Sequence, residues 1–224
     1  MKNERISNIF DDELSELKQS ILVMGGKVEL MIANSVKSLV DRDTALAERT
    51  IAMDKMVNDD EVSIDAQCLD LLALRKPAAG DLRFITITLK IVTDLERMGD
   101  KCVNIAKRAR ELNDVPPLTP YINIPQMAHW ASVMVKNALD SLVNRDTDLA
   151  AKVCKDDKFI NDLNVKIQRE LLTYMMEDPS TIPSAMKITY ISKALERISD
   201  HATNIAEMVI FMVKGKDIRH IICQ

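Results

Sequence analysis

The sequence predicts an all-α protein built from two tandem, pseudo-symmetric three-helix bundles, with six antiparallel helices in total. Three observations predict this fold. The composition favours helices, because glycine (5 of 224 residues) and aromatic residues (4%) are sparse and long unbranched side chains are common. Apolar residues recur at steps of three and four, as in bundle helices. The same order of motifs also occurs twice along the chain.

The internal repeat is clearest in the last helix of each half. Residues 94–106, DLERMGDKCVNIA, align with residues 194–206, ALERISDHATNIA, at an offset of 100. Upstream, SLVDRDT at 38–44 aligns with SLVNRDT at 141–147 at an offset of 103. Two collinear matches indicate a duplicated domain. The change of offset indicates that the second copy has lost three residues, which we place in the loop before its third helix.

Three helices are predicted in the first copy. The first covers residues 12–40, where apolar side chains form one stripe. The turn Asp41-Arg42-Asp43 follows, and an aspartate there is expected to cap the second helix. That helix ends before Pro77, and the third covers residues 80–112. Gly25-Gly26 lies inside the first helix, where each glycine costs about 1 kcal/mol and allows close packing or a bend.

The second copy repeats these elements. Its helices are predicted over residues 125–143, 147–177 and 183–214. Four of the seven prolines fall between residues 113 and 125, and proline clashes inside a helix, so this segment is predicted to be a linker. The expected domains are therefore residues 1–112 and 126–224. Short connections between long helices favour antiparallel neighbours.

Composition also limits the function classes. A net charge of −4 lacks the basic footprint of a nucleic-acid-binding protein. No apolar run reaches the roughly 18 residues that cross a bilayer, and the first residues lack the apolar core of a signal peptide. The four cysteines show no CxxC pair and are expected to be reduced thiols of a cytoplasmic protein. They are Cys68, Cys102, Cys154 and Cys223.

Acidic residues interrupt the apolar stripe of the third helix. Glu96 and Asp100 are four residues apart and therefore share one helix face. A buried carboxylate without a partner costs roughly several kcal/mol, so a cation, a shared proton or a hydrogen-bond network is expected beside it. Asp54, Asn58 and Glu61 form the acidic middle of the second helix's stripe. If these helices pack antiparallel, the two sets of side chains face each other.

Oxygen ligands that converge from two helices suit a hard or borderline metal ion. The second copy places Asp157 and Asn161 opposite Glu196 and Asp200. It has fewer carboxylates, because Asn164 replaces the equivalent of Glu61, and we therefore predict weaker metal binding there. His201 is either a further nitrogen ligand or, as is more frequent, a histidine at the rim.

A plainer interpretation is that Glu96 forms an ordinary ion pair with a lysine or arginine of another helix. Repetition of the motif at matching positions favours the metal site. Three functions remain open at this point: a non-enzymatic adaptor, a helical-bundle metalloenzyme of hydrolase or redox type, and a structural scaffold. The adaptor is favoured because the sequence shows no nucleophile–base constellation and no phosphate-cradling glycine-rich loop.

Two further segments resemble the signature of the PhoU family. They are LALRKPAAGDLR at 72–83 and LKIVTDLERMGD at 89–100, and the resemblance covers essentially the whole chain. It implies a negative regulator of the phosphate-starvation response. Such an adaptor links the ATPase of the phosphate ABC transporter to a phosphate-sensing membrane histidine kinase.

The resemblance also implies metal ions and a homodimer. Some family members carry iron or zinc, as multinuclear clusters, at acidic motifs. These motifs match Glu96/Asp100 and Glu196/Asp200 in this sequence. The partner motifs fall on Asp54/Asn58 and Asp157/Asn161, where this chain has asparagine at the second position.

Overall fold

The computed structural model describes residues 2–118, 121 and 123–215 of the 224-residue chain. Within these residues there are six α-helices, a short 3-10 helix and no strand, which confirms the all-α prediction. The α-helices are α1 (Lys2–Val40), α2 (Thr44–Arg75), α3 (Ala79–Asn113), α4 (Asn123–Asn144), α5 (Thr147–Glu177) and α6 (Ile182–Lys214). The 3-10 helix, Pro179–Thr181, leads into α6.

Two helices begin earlier than the sequence predicts. α1 begins at Lys2 rather than Asp12, because neither glycine nor proline lies in that stretch to stop it. α4 begins at Asn123, ahead of Pro125, since a helix tolerates proline in its first turn, where the N–H has no intrahelical partner. The predicted boundary at residue 126 therefore lies inside α4. Cys223 and the rest of the predicted second domain beyond residue 215 lie outside the described residues.

The turns that open α2 and α5 have the same construction. Arg42 and Arg145 adopt the left-handed conformation, with φ of 55° and 54°. The carboxylate after each arginine caps the next helix. Asp43 accepts a hydrogen bond of 2.8 Å from the N–H of Leu46, and Asp146 caps α5 in the same way. The predicted aspartate cap is confirmed, and it is repeated in both copies.

The two bundles pack against each other through their third helices. α3 and α6 are antiparallel: Asp94 contacts His201, while Glu111 near the end of α3 pairs with Lys187 near the start of α6 at 3.1 Å. α1 packs against α4 beside them. One continuous apolar core therefore runs through both repeats. α2 and α5 lie on the outside, each against the third helix of its own repeat.

Three of the four cysteines lie among the described residues. Cys68, Cys102 and Cys154 are buried, and no disulfide joins these described cysteines. Burial raises the pKa of the Cys68 thiol to about 12, so it remains protonated at neutral pH. None of the described helices combines the length and apolarity needed to cross a membrane.

Gly25 and Gly26 have different surroundings although they are adjacent in α1. A Cβ atom added to Gly25 would lie 2.1 Å from Cδ1 of the buried Leu139 on α4. A Cβ atom added to Gly26 would meet nothing within 4 Å. Gly25 therefore permits the close approach of α1 to α4, whereas Gly26 serves no packing purpose.

Alanine at these two positions is expected to have opposite effects. Gly25→Ala should lower the free energy of unfolding by about 1 kcal/mol, because overpacking costs about 1–3 kcal/mol and the gain in helix propensity is about 1 kcal/mol. Gly26→Ala should raise it by about 0.5–1 kcal/mol. Urea denaturation of both variants measures the difference. Equal stabilisation by both would contradict the close approach at Gly25.

Candidate metal-binding sites

The predicted site residues of the first repeat come together along one groove between α2 and α3. We call this groove the first acidic site, and its residues are Asp54, Asn58, Glu61, Glu96 and Asp100. Asp54, Glu61 and Glu96 are half-buried, while Asn58 and Asp100 are exposed. The sequence predicted carboxylates within the apolar stripe. Instead, they lie where the stripe meets solvent, so water reaches part of the groove.

The second acidic site lies between α5 and α6. Its residues, Asp157, Asn161, Glu196 and Asp200, are all half-buried. Each site contains a buried aspartate oxygen that accepts no hydrogen bond, Oδ1 of Asp54 in the first and Oδ1 of Asp157 in the second. Buried polar atoms normally have partners, so an orphaned acceptor at the same position of both repeats marks a place for a cation or a proton.

The carboxylates of the first acidic site lie close enough together to repel one another. Burial raises the pKa of Asp54, and the negative charge of Asp100 raises it further. Burial also raises the pKa of Glu96, with additional increases from Asp100, Glu61 and Asp54. Within the described chain neither Glu96 nor Asp100 forms an ion pair, so the interhelical salt bridge of the plainer interpretation is not seen among these residues.

The second acidic site is partly neutralised by its own helix. Glu196 pairs with Lys193, and Asp200 pairs with Arg197 at 2.7 Å. Burial raises the pKa of Asp157, while a hydrogen bond from Ser199 lowers it. These ion pairs compete with a metal ion for the same oxygens. Like the smaller number of carboxylates, these ion pairs are expected to weaken metal binding at the second acidic site.

The two sites also differ at the equivalent residues Gly99 and Ser199, a difference that sequence reasoning missed. A Cβ atom on Gly99 would lie 3.7 Å from Oδ1 of Asp54, so this position faces the buried oxygen, and the glycine offers it no hydrogen-bond donor. At the equivalent position the hydroxyl of Ser199 lies close enough to Asp157 to lower its pKa, and it donates a hydrogen bond of 2.7 Å to the backbone oxygen of Glu196. The aligned sequences already show glycine before Asp100 and serine before Asp200. They do not show that this position faces the aspartate of the neighbouring helix.

His201 does not join the second acidic site. Its Nδ1 lies 2.8 Å from Oδ1 of Asp94, which places the imidazole at the contact between α3 and α6. Of the two interpretations that the sequence allowed, the rim histidine is therefore correct.

Each site offers carboxylate and amide oxygens, which are ligands of hard and borderline divalent cations. Together with the orphaned Oδ1 atoms, these oxygens match a metal ion in donor chemistry. No group of three or more His, Cys, Asp or Glu side chains stands in metal-ligand arrangement among the residues with described positions. The metal ion predicted from the sequence stays a prediction.

Comparison with known proteins assigns both repeats. The PhoU domain family matches residues 21–109 and again 124–209. The chain is 41% identical to a phosphate-specific transport system accessory protein PhoU homolog of Pseudomonas aeruginosa, over 96% of this chain and 90% of that protein. It is 34% identical to the PhoU protein of Escherichia coli K12, over 98% of this chain and 91% of that one.

Solved structures show the same architecture. The crystal structure of PhoU from Pseudomonas aeruginosa superposes with a TM-score of 0.88 at 40% identity, covering 92% of this chain and all of that one. The phosphate transport system regulatory protein PhoU from Streptococcus pneumoniae gives a TM-score of 0.85 at 30% identity, covering 93% of this chain and 98% of the other. With both repeats matched and the fold shared over almost its full length, this chain belongs to the PhoU family.

Proposed function

We propose that this chain is a non-enzymatic accessory protein of phosphate transport that represses the phosphate-starvation response when phosphate is plentiful. It works in the cytoplasm as an adaptor between the ATPase of a phosphate ABC transporter and a sensor histidine kinase. The names of its relatives as accessory and regulatory proteins of phosphate transport support this role. An adaptor also needs surfaces for other proteins.

The outer helices offer two equivalent apolar surfaces. Val62 and Leu69 on α2 are 70% and 59% exposed. Val165 and Leu172 on α5, each 103 positions later, are 45% and 56% exposed. Exposed apolar side chains that recur on one helix face mark protein contacts. This repeated exposure is the observation that carries the adaptor proposal, and the same surfaces are available to a second copy in a homodimer.

Charged substitutions on these surfaces are expected to abolish repression without unfolding the chain. Leu69→Glu and Leu172→Glu put a charge on an exposed side chain, so stability should change by about 0.5 kcal/mol or less. Expression of phosphate-uptake genes at high phosphate should rise to the level of a gene-deletion strain. A transcriptional reporter measures the expression, and urea denaturation of the purified variants measures the stability.

Leu30→Glu is the matched control, because Leu30 is 51% exposed and belongs to α1 rather than to α2 or α5. It should leave repression intact. Unchanged reporter activity in the deletion strain would contradict the regulatory function itself. Full repression by both surface variants would contradict docking through α2 and α5.

The acidic sites are proposed to hold a metal ion, iron or zinc. In the first site Asp54, Glu96, Asp100 and Glu61 would supply oxygens, with Asn58 beside them. In the second, Asp157, Asn161, Glu196 and Asp200 would do so. A bound cation would offset the repulsion between carboxylates of neighbouring helices and thereby fasten α2 to α3 and α5 to α6.

Asp54→Asn is expected to stabilise the metal-free protein and to weaken metal binding. The pKa of Asp54 is raised in the folded state, so its ionisation costs folding free energy at pH 7. The gain in urea midpoint should shrink as the pH falls through the raised folded-state pKa and disappear below the ordinary aspartate value of 3.8, because the carboxyl group is then protonated in both states. Denaturation at several pH values, with and without metal, measures both effects.

Asn58→Asp is the opposite change at the same site. It adds a carboxylate next to Asp54, so it should lower the stability of the metal-free protein and increase the metal content of protein purified without chelator. A metal content unchanged in both variants would contradict metal binding at the first acidic site, while leaving the adaptor function open to its own test.

A further inference from the structure

A second charged feature lies on a different face of the two central helices. A cleft of about 240 Å³ opens between α3 and α6, and we call it the basic cleft. Its cationic side chains are Lys101 and Arg108 from α3 and Lys193 and Arg197 from α6. Among the residues described, no carboxylate lines it. Four cations therefore face one small space in a protein whose net charge is −4.

The duplication explains how the cleft arises. Asp94 and His201 close the contact between α3 and α6 at one end, 2.8 Å apart. In the aligned repeats Ala194 of α6 corresponds to Asp94 of α3, and Lys101 of α3 corresponds to His201 of α6. The equivalent pair at the other end of the contact is therefore Ala194 and Lys101. Both line the basic cleft. Alanine in place of aspartate removes a carboxylate and its volume, and it leaves the half-buried Lys101 without the partner that symmetry would provide.

The other cations are held in position from outside the cleft. The guanidinium of Arg108 lies 5.6 Å from the centre of the Tyr190 ring and donates to Glu111 at 3.0 Å. Arg197 is held by Asp200. Each carboxylate lies three residues further along the same helix as its cation. A guanidinium has five N–H donors, so one ion pair fixes its plane and leaves donors for a ligand.

The ion pairs reduce the charge of the cleft but do not cancel it. Within the described chain Lys101 forms no ion pair, and Asn104 adds an amide to the same wall. Planar guanidinium groups and lysine ammonium groups around one space are the donors that phosphate oxygens bind. The volume lies below the roughly 300–1,000 Å³ of pockets for drug-sized ligands, so the ligand is small.

We propose that the basic cleft binds a small multivalent phosphate anion, either free pyrophosphate or inorganic phosphate, or the phosphate chain of a nucleotide. The charge and the shape of the cleft support this binding. Its use as a direct input to regulation rests on the proposed function, since a regulator of phosphate uptake that binds phosphate groups would report their level to its partners.

Calorimetric titration of the full-length chain with pyrophosphate tests the proposal. Binding is expected, and Ala194→Asp should weaken it by about tenfold or more, because the new carboxylate takes Lys101 as its partner and repels the anion. Arg197→Gln should have a similar effect. The Ala194→Asp variant removes no cation, and its position on α6 is only half-buried, so the fold should remain intact; circular dichroism checks this.

Arg97→Gln is the matched control, since Arg97 occupies the repeat position of Arg197 and is equally exposed but lies outside the cleft. It should change the affinity by less than about twofold. Equal losses in the Arg97 and Arg197 variants would show a general charge effect and overturn the site. So would an affinity unaffected by Ala194→Asp, or no binding of phosphate, pyrophosphate or ATP at millimolar concentration.

The source of the phosphate group is decided by comparing ligands. Binding of ATP that is tighter than that of pyrophosphate and weakened by Tyr190→Ala would identify a nucleotide, because the half-exposed tyrosine ring stands at the wall of the cleft. Equal affinities would identify the free anion. These results do not depend on gene regulation, so failure of the cleft and failure of the adaptor function can be told apart.

Discussion

The antiparallel packing of α3 against α6 is the constraint on which the rest of the structure depends. These two helices form the common core of both bundles, so every other helix is placed relative to them. Each offers one face to its outer helix, where the acidic sites lie, and another to its counterpart, where the basic cleft lies. At about 100° per residue, the carboxylates and cations of α3 fall on neighbouring faces of one helix.

Duplication supplied the geometry of two equivalent sites, and later substitutions made them different. The first acidic site combines four carboxylates with a glycine that offers Asp54 no hydrogen-bond donor. The second has the hydroxyl of Ser199 and two ion pairs within its helix. Both therefore keep the same backbone arrangement, but the electrostatic repulsion that a cation would relieve is larger in the first.

Much of the fold could be predicted from the sequence because helix length, apolar period and proline position are local properties. The ends of α2, α3, α5 and α6 agree with prediction to within a few residues, and the aspartate cap expected in the turn before α2 is Asp43. The depth of Glu96 and the pairing of His201 depend on how helices rotate against each other, which periodicity does not define. The basic cleft was missed for the same reason: its cations come from two helices aligned only by tertiary packing.

Lys193 and Arg197 each stand between two neighbours, since they pair with Glu196 and Asp200 and also line the cleft. Drawing such a side chain further towards one neighbour leaves fewer of its N–H donors for the other. By thermodynamic reciprocity, whatever strengthens one engagement weakens the other by the same free energy. In the first repeat Arg97 stands outside the cleft, and no such sharing arises. The second acidic site thus shares two cations with the basic cleft, whereas the described residues of the first acidic site share none with it.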